Sequence, residues 1–261
     1  MTVPLARRAL AELVGTAALV AVVIGSGIMA QTLSPQDVGL QLLENSLTTV
    51  FGLGVLIVML GPVSGAHFNT VVSLADWWAG RHTRTGLSLR EVAAYTGAQV
   101  AGAVAGAVLA NAMFGRALVS WSQKDRSSPH LWLGELVATA GLIMVIFALV
   151  RNGRASAIPV AVASYIGAAY WFTSSTSFAN PAVTIGRMFS NTFAGIAPAG
   201  APAFIAAQLV GGAVGLLLVG ALYPDATAVP GAGAREVAGQ NGQVVESSRT
   251  GDLLDTLEGD L

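Results

Sequence analysis

A short pattern occurs twice in this chain, as Ser64-Gly65-Ala66-His67-Phe68-Asn69-Thr70-Val71-Val72 and as Thr176-Ser177-Phe178-Ala179-Asn180-Pro181-Ala182-Val183-Thr184. In each copy, a loop of small residues leads to an Asn that opens a short amphipathic segment. Two further pairs occur in the same order: the Glu-Leu-Val-x-Thr of residues 12–16 and 135–139, and the Ala-Gln-x-x-Gly of residues 98–102 and 207–211. Three matched pairs in one order indicate a duplicated unit.

The composition is that of a membrane protein. Of the 261 residues, 54% are apolar and 10% are charged, whereas about a quarter of the residues in an average soluble domain are charged. Helices of about 20 apolar residues cross the roughly 30 Å of hydrocarbon in a bilayer. Six apolar stretches approach that length and predict six crossings: residues 10–30, 38–60, 92–113, 131–150, 158–173 and 202–222.

The cations predict the orientation of these crossings. If the chain crosses the membrane six times, seven Arg residues fall on one side of the membrane and three cations on the other. The positive-inside rule then places both termini in the cytoplasm, and the protein is expected to be a multi-pass protein of the cell membrane. The seven are Arg7, Arg8, Arg81, Arg84, Arg90, Arg151 and Arg154, and the three are Arg116, Lys124 and Arg126.

The chain divides by composition into two parts. Residues 1–222 form a membrane domain with repeats at about 9–113 and 131–222, and residues 223–261 carry half of the acidic residues together with much Gly and Ser. Such a composition predicts a disordered, acidic cytoplasmic tail. The chain has no Cys, and its motifs include no nucleophile–base set, metal cluster or phosphate-binding glycine loop. We therefore expect no enzyme, no cofactor, no metal site and no nucleic-acid partner.

The two Asn segments are too short to cross a membrane. From Asn69 to Gly80 a helix of about eleven residues reaches only about 16 Å. Irregular backbone at membrane depth is tolerated where it lines a cavity. Because three crossings, an odd number, precede the second copy of the repeat, the second half-helix enters from the opposite face. The half-helices then meet by their N-termini near the midplane, as in transporters built from inverted repeats.

The residues at this meeting point favour neutral solutes. Asn caps a helix by accepting an N–H of its first turn, and Pro181 suits the first helical position. The remaining amide hydrogens of Asn69 and Asn180 are donors, and each is backed by the positive end of a helix dipole. Such a site favours solutes with oxygen acceptors and repels cations.

These motifs resemble the aquaporin and aquaglyceroporin family over nearly all of residues 9–222. The resemblance implies an all-α bundle of six transmembrane helices and two re-entrant half-helices from an inverted repeat, with a pore in each subunit of a homotetramer. The stretch at residues 180–189, followed by Thr192-Phe193-Ala194-Gly195, resembles a bacterial branch associated with arsenic-resistance genes.

The chain departs from the family pattern at two places. The first pore motif is Asn69-Thr70-Val71, whereas the second, Asn180-Pro181-Ala182, keeps the family's Asn-Pro-Ala. Val183 stands where most members carry an Arg that narrows and charges the outer pore. We expect Arg187, one turn further, at the boundary between protein and water. The loss of the Arg is expected to weaken the exclusion of protons and cations without abolishing it.

The resemblance implies a selectivity ring, carried over by spacing from the two Asn residues: Thr49, Ala168, Ser177 and Val183. This small, weakly polar ring predicts a wide passive channel for glycerol-like polyols, urea, arsenite trihydroxide or methylated arsenicals, together with water. The alternatives are a water-selective aquaporin, a coupled secondary transporter, and a non-conducting structural homologue.

Three ionisable residues lie near the loops. Glu12 and Glu135 fall inside apolar spans, where an unpartnered charge costs about 2.5 kcal/mol or more. The resemblance favours a role in supporting the re-entrant loops, and a proton relay is the alternative. His67 is a candidate pore-lining residue that could respond to pH, and it could equally serve to hold the turn.

Overall fold

The computed structural model of the chain describes residues 3–83 and 85–223. Within these residues the chain forms eight α-helices and no strand. The six long helices are α1 (Leu5–Leu33), α2 (Val38–Ser64), α4 (Leu89–Met113), α5 (Pro129–Arg151), α6 (Ile158–Phe172) and α8 (Ala201–Leu222), and the two short helices are α3 (Thr70–Gly80) and α7 (Pro181–Arg187). The predicted acidic tail lies, except for Tyr223, outside the described residues.

The six long helices coincide with the six predicted crossings, and each is long and apolar enough to span a bilayer. Helix α6 reaches this length because a 3-10 turn at Ala155–Ala157 precedes it, which gives 18 residues. The all-α prediction of six spans and two half-helices is therefore confirmed.

Glycine allows two helix pairs to pack closely. On α4, a Cβ atom on Gly102 would lie 2.3 Å from the carbonyl oxygen of Leu13 in α1, and one on Gly106 would lie 2.2 Å from that of Ala17. The second half of the chain repeats this arrangement, since a Cβ atom on Gly211 of α8 would lie 2.4 Å from the carbonyl oxygen of Leu136 in α5. Small residues permit this approach, which membrane helices use in place of a hydrophobic driving force.

Both short helices pack against α4 and α8. Each begins at its Asn, at residues 69 and 180, and the two starting points lie side by side inside the bundle. The close packing of the long helices therefore surrounds a centre that is made of two loops and two helix N-termini.

Candidate functional site

Each Asn caps its own half-helix. Asn69 Oδ1 accepts the backbone N–H of Val71 at 2.9 Å. Asn180 Oδ1 accepts those of Ala182 at 3.0 Å and Val183 at 3.3 Å. The caps satisfy N–H groups that have no partner within the helix.

Each Asn also binds the loop of the other. The Nδ2 atom of Asn69 donates to the carbonyl oxygen of Ala179 at 2.7 Å, and that of Asn180 donates to the carbonyl oxygen of Phe68 at 2.7 Å. An amide nitrogen carries two hydrogens. Each Asn therefore uses one of its two amide hydrogens to join the loops, so that one hydrogen on each side chain remains as a donor.

The two loops have the same unusual backbone. Counted back from each Asn, the residues at positions four, three and one have positive φ: Gly65 (88°), Ala66 (50°) and Phe68 (47°) in the first loop, and Thr176 (63°), Ser177 (51°) and Ala179 (49°) in the second. A non-glycine residue in this region is held there by its surroundings, at a cost of order 1–3 kcal/mol. Strong contacts must therefore fix both loops.

Two buried carboxylates make those contacts. Glu12 accepts the backbone N–H groups of His67 at 3.0 Å and Phe68 at 2.6 Å, and Glu135 accepts those of Phe178 and Ala179, both at 2.8 Å. Both Glu side chains are fully buried. Each Glu thus joins a long helix to two backbone N–H groups of one loop.

Two glutamines, to which the sequence assigned no role, complete the support. Gln99 Nε2 donates to Glu12 at 2.9 Å, and its Oε1 accepts the hydroxyl of Thr70 at 3.2 Å. Gln208 Nε2 donates to Glu135 at 2.6 Å. The Ala-Gln repeat was the available signal. Thr70, which replaces the family's Pro, is tied to the same network.

A cavity of about 230 Å³ is lined by both Asn side chains. One part of its wall is apolar, and includes Leu19, Val23, Leu53, Ile57, Leu142, Phe147, Val162 and Ile166. The polar groups in the wall are Thr49, His67, Asn69, Asp76, Tyr170, Ser177, Asn180 and Arg187. The other motif residues, Thr70, Val71, Pro181 and Ala182, shape the loops and half-helices around it.

The structure corrects one member of the predicted ring. Thr49, Ser177 and Val183 line the cavity, but Ala168 is exposed on the other side of α6. The residue of α6 that lies beside Thr49 in the cavity wall is Tyr170, whose hydroxyl is 3.1 Å from Thr49 Oγ1. A shift of two residues turns a helical side chain by about 200°, so this error reverses the face.

The sequence contains a signal for the correct residue. The four larger side chains of α6 that line the cavity recur at every fourth position: Ile158, Val162, Ile166 and Tyr170. This stripe marks one face of the helix, whereas the spacing from Asn180 crosses an irregular loop. Ser177 lines the cavity, and its Oγ is buried without a hydrogen-bond partner.

Arg187 is also placed differently from the expectation. It is 2% exposed, and it lines the cavity instead of lying at the boundary with water. Its Nε donates to the carbonyl oxygen of Ala194, and its guanidinium carbon lies 3.3 Å from the centre of the Phe178 ring. Helix α7 has only seven residues, and the loop that follows it folds back over Arg187.

Three cations hold that loop by three successive carbonyl oxygens. Lys124 Nζ donates to Phe193 at 2.9 Å, Arg187 Nε to Ala194, and Arg126 Nε to Gly195 at 3.0 Å. Burial, together with the nearby positive charges of Arg126 and Arg187, lowers the pKa of Lys124 to about 8. Burial lowers the pKa of Arg126 to about 10. The sequence suggested only outer-loop cations here.

At the other end of the cavity lie His67 and Asp76. His67 Nδ1 lies 3.1 Å from Ser73 Oγ, and the imidazole packs edge-on against Tyr95. Asp76 Oδ2 accepts the backbone N–H of Leu87 at 2.7 Å. His67 therefore lines the cavity, and its imidazole is at the same time held by side chains of α3 and α4.

Comparisons with known proteins agree with this architecture. The family model described as Major intrinsic protein matches residues 1–177. The Aquaglyceroporin AqpS of Rhizobium meliloti (strain 1021) is 50% identical over 215 residues, which cover 82% of this chain and 89% of that protein. The glycerol uptake facilitator protein of Pseudomonas aeruginosa is 30% identical over 168 residues, which cover 56% of this chain and 57% of that protein.

A solved structure has the same fold. The aquaglyceroporin from Plasmodium falciparum superposes with a TM-score of 0.61 at 19% identity, covering 84% of this chain and 97% of that one. At this identity the likeness concerns the fold.

Proposed function

Because this chain belongs to the major intrinsic protein family, whose members are channels and not enzymes, we propose that its cavity passes glycerol-like polyols and other small uncharged solutes. The protein is a multi-pass membrane channel for water and small solutes such as glycerol. The finer assignment rests on the residues that line the cavity.

The proposal rests mainly on the two hydrogen bonds by which Asn69 and Asn180 each bind the other's loop. They fix two amide donors side by side at the start of two opposed half-helices. Each donor is backed by a helix N-terminus, so an oxygen acceptor is bound and a cation is repelled. The apolar wall opposite suits the carbon skeleton of a polyol.

The ring that we propose for selectivity is Thr49, Tyr170, Ser177 and Val183. Its three hydroxyl groups can exchange hydrogen bonds with a solute hydroxyl, while Val183 offers an apolar side. Glycerol has this arrangement, with hydroxyls along one edge and C–H groups along the other. Urea, arsenite trihydroxide and methylated arsenicals are further candidate solutes, since each is small and carries polar groups.

A water-selective pore is the second candidate, and Tyr170 is the observation that favours it. The phenol fills space that the expected Ala168 would have left open, so the ring is narrower than the sequence suggested. Our proposal that glycerol passes is supported by the apolar wall of the cavity and by the relatives that are named for glycerol.

The loops, in this proposal, are held by Glu12 and Glu135 as structural acceptors instead of proton relays. We further propose a homotetramer in the cell membrane with both termini in the cytoplasm. Large apolar side chains exposed along α2, among them Phe51, Val55 and Val58, suit contact with lipid or with a neighbouring subunit. Residues 1–222 would form the channel, with repeats at 9–113 and 131–222, and residues 223–261 a separate tail.

Stopped-flow light scattering on proteoliposomes tests the proposal. Parallel gradients of water, glycerol, urea and arsenite would be compared with empty liposomes. We expect glycerol entry well above the lipid background, together with water flow. Rapid water flow with glycerol entry at background would instead establish the water-selective pore, and no flux of either would establish a non-conducting homologue.

A further inference from the structure

Val183 and Arg187 lie on the same face of α7. They are four residues apart, which is one helical turn, and both side chains line the cavity. Since α7 runs outward from its N-terminal Asn180, Arg187 lies one turn further from the meeting point of the two loops. The cavity therefore contains a guanidinium close to the position that Val183 leaves uncharged.

The guanidinium is held in a fixed place. It lies against the ring of Phe178, with 3.3 Å between its central carbon and the ring centre, and its Nε is bound to the carbonyl oxygen of Ala194. Phe178 is itself packed against Phe204 and Ile196. Of the five N–H donors of an Arg, this hydrogen bond uses one. The others remain for groups in the cavity.

Two further cations lie near Arg187. The guanidinium carbon of Arg126 lies 4.8 Å from the centre of the same Phe178 ring, and Lys124 holds the adjoining carbonyl. The buried carboxylate of Glu135 is bound to two backbone N–H groups and to Gln208, and in the part of the chain that the structure describes it forms no ion pair with Arg187.

We propose that Arg187 is the cation that guards the outer pore of this channel. Placed one turn outside Val183, it repels protons and metal cations without occupying the ring itself, so that the ring keeps room for a polyol. This assignment rests on the proposed function, because it takes the cavity as the permeation path. It replaces the expectation that exclusion of cations is weakened in this chain.

The test compares proton leak in proteoliposomes that contain a pH-sensitive dye, with a membrane potential set by potassium and valinomycin. Arg187→Gln is expected to raise the leak per channel about tenfold or more, because it removes the repulsion between a fixed positive charge and an entering cation in a poorly screened site. Arg187→Lys should restore most of the barrier. Arg116→Gln is the matched control, because it removes an exposed cation that neither lines the cavity nor binds the loop over Arg187, and it should leave the leak within about twofold of wild type.

Val183→Arg is the second variant, and it leaves the contacts of Arg187 in place. If Arg187 already supplies the barrier, the added Arg lowers the leak by less than about twofold while slowing glycerol entry. A leak that falls about tenfold in Val183→Arg, or that is unchanged in a correctly assembled Arg187→Gln, overturns the proposal. Should Arg187→Gln not fold, Val183→Arg still decides. Absence of glycerol entry in wild type would count against the proposed function alone, because the dye measures the leak independently.

Discussion

Asn69 and Asn180 each donate a hydrogen bond, 2.7 Å long, to the carbonyl oxygen of the residue just before the other. The exchange ties two loops that are separated by 111 positions in the sequence. It also orients the remaining amide hydrogens, because a planar amide with one donor and its acceptor engaged has little freedom left. The rigidity of the centre therefore comes from a bond between the repeats and not from either repeat alone.

This exchange can be tested with Asn180→Ser. Ser still caps α7, but it removes the donor to Phe68 and leaves a buried carbonyl unpaired, which costs about 1–3 kcal/mol. We expect a lower midpoint in thermal unfolding followed by loss of assembled protein. Asn191→Ser is the control, since Asn191 is exposed and accepts one backbone N–H, that of Gln123. Equal midpoints for the two variants would argue against a stabilising exchange.

Glu135→Gln should disrupt the second loop. The carboxylate accepts three N–H donors, and an amide would present its own hydrogens to one or more of them. We expect a loss of about 2–4 kcal/mol and poor recovery of folded protein from the membrane. Glu44→Gln, in α2, is the comparison, because the recorded partner of Glu44 is one hydroxyl, that of Ser34. A stable Glu135→Gln channel with altered pH dependence of flux would favour the proton relay.

Gly106→Ala should destabilise the packing of α1 against α4. The new Cβ would lie 2.2 Å from the carbonyl oxygen of Ala17, and such overpacking costs about 1–3 kcal/mol. Gly97→Ala on the same helix meets nothing within 4 Å and should be neutral or slightly stabilising. Thermal stability of the purified channel compares the two, and a neutral Gly106→Ala would contradict the close approach.

Tyr170→Ala should widen the ring. Removal of the phenol opens space beside Thr49, so entry of polyols larger than glycerol is expected to rise relative to water flow. Ala168→Leu, at the exposed position on the same helix, should change neither. The same light-scattering measurement with a series of polyols checks both. The ring assignment is wrong if Ala168→Leu alters the size limit and Tyr170→Ala does not.

Lys124 should make stability depend on pH. Its pKa is lowered to about 8 in the folded protein, so between about pH 8 and pH 10.5 the unfolded chain binds a proton that the folded chain lacks, and stability rises with pH. The rise is of order 1 kcal/mol, less than full linkage, because the side chain is partly exposed. Lys124→Gln should flatten this part of a pH series of unfolding midpoints. An unchanged slope would assign the rise to other groups.

The repeat in the sequence was enough to predict most of the residues at the meeting point of the two loops. Asn69, Asn180, Glu12 and Glu135 were found because each occurs in a matched pair, and a half-helix that is too short to cross can lie only beside a cavity. The six spans followed from length and apolarity, which the bilayer selects directly. These features depend on local sequence and on a duplication that preserves order.

Only the tertiary structure showed the positions of residues that depend on the path of irregular loops. Ala168 was chosen by counting back from Asn180 through an irregular segment, and the count does not fix a helical face, so Tyr170 was missed. Arg187 was expected near water because the sequence does not show that residues 193–195 fold back over it. The reason is physical: helical period and membrane thickness act on neighbours in sequence, whereas the residues that we propose for the ring lie on four separate segments whose contacts exist only once the chain has folded.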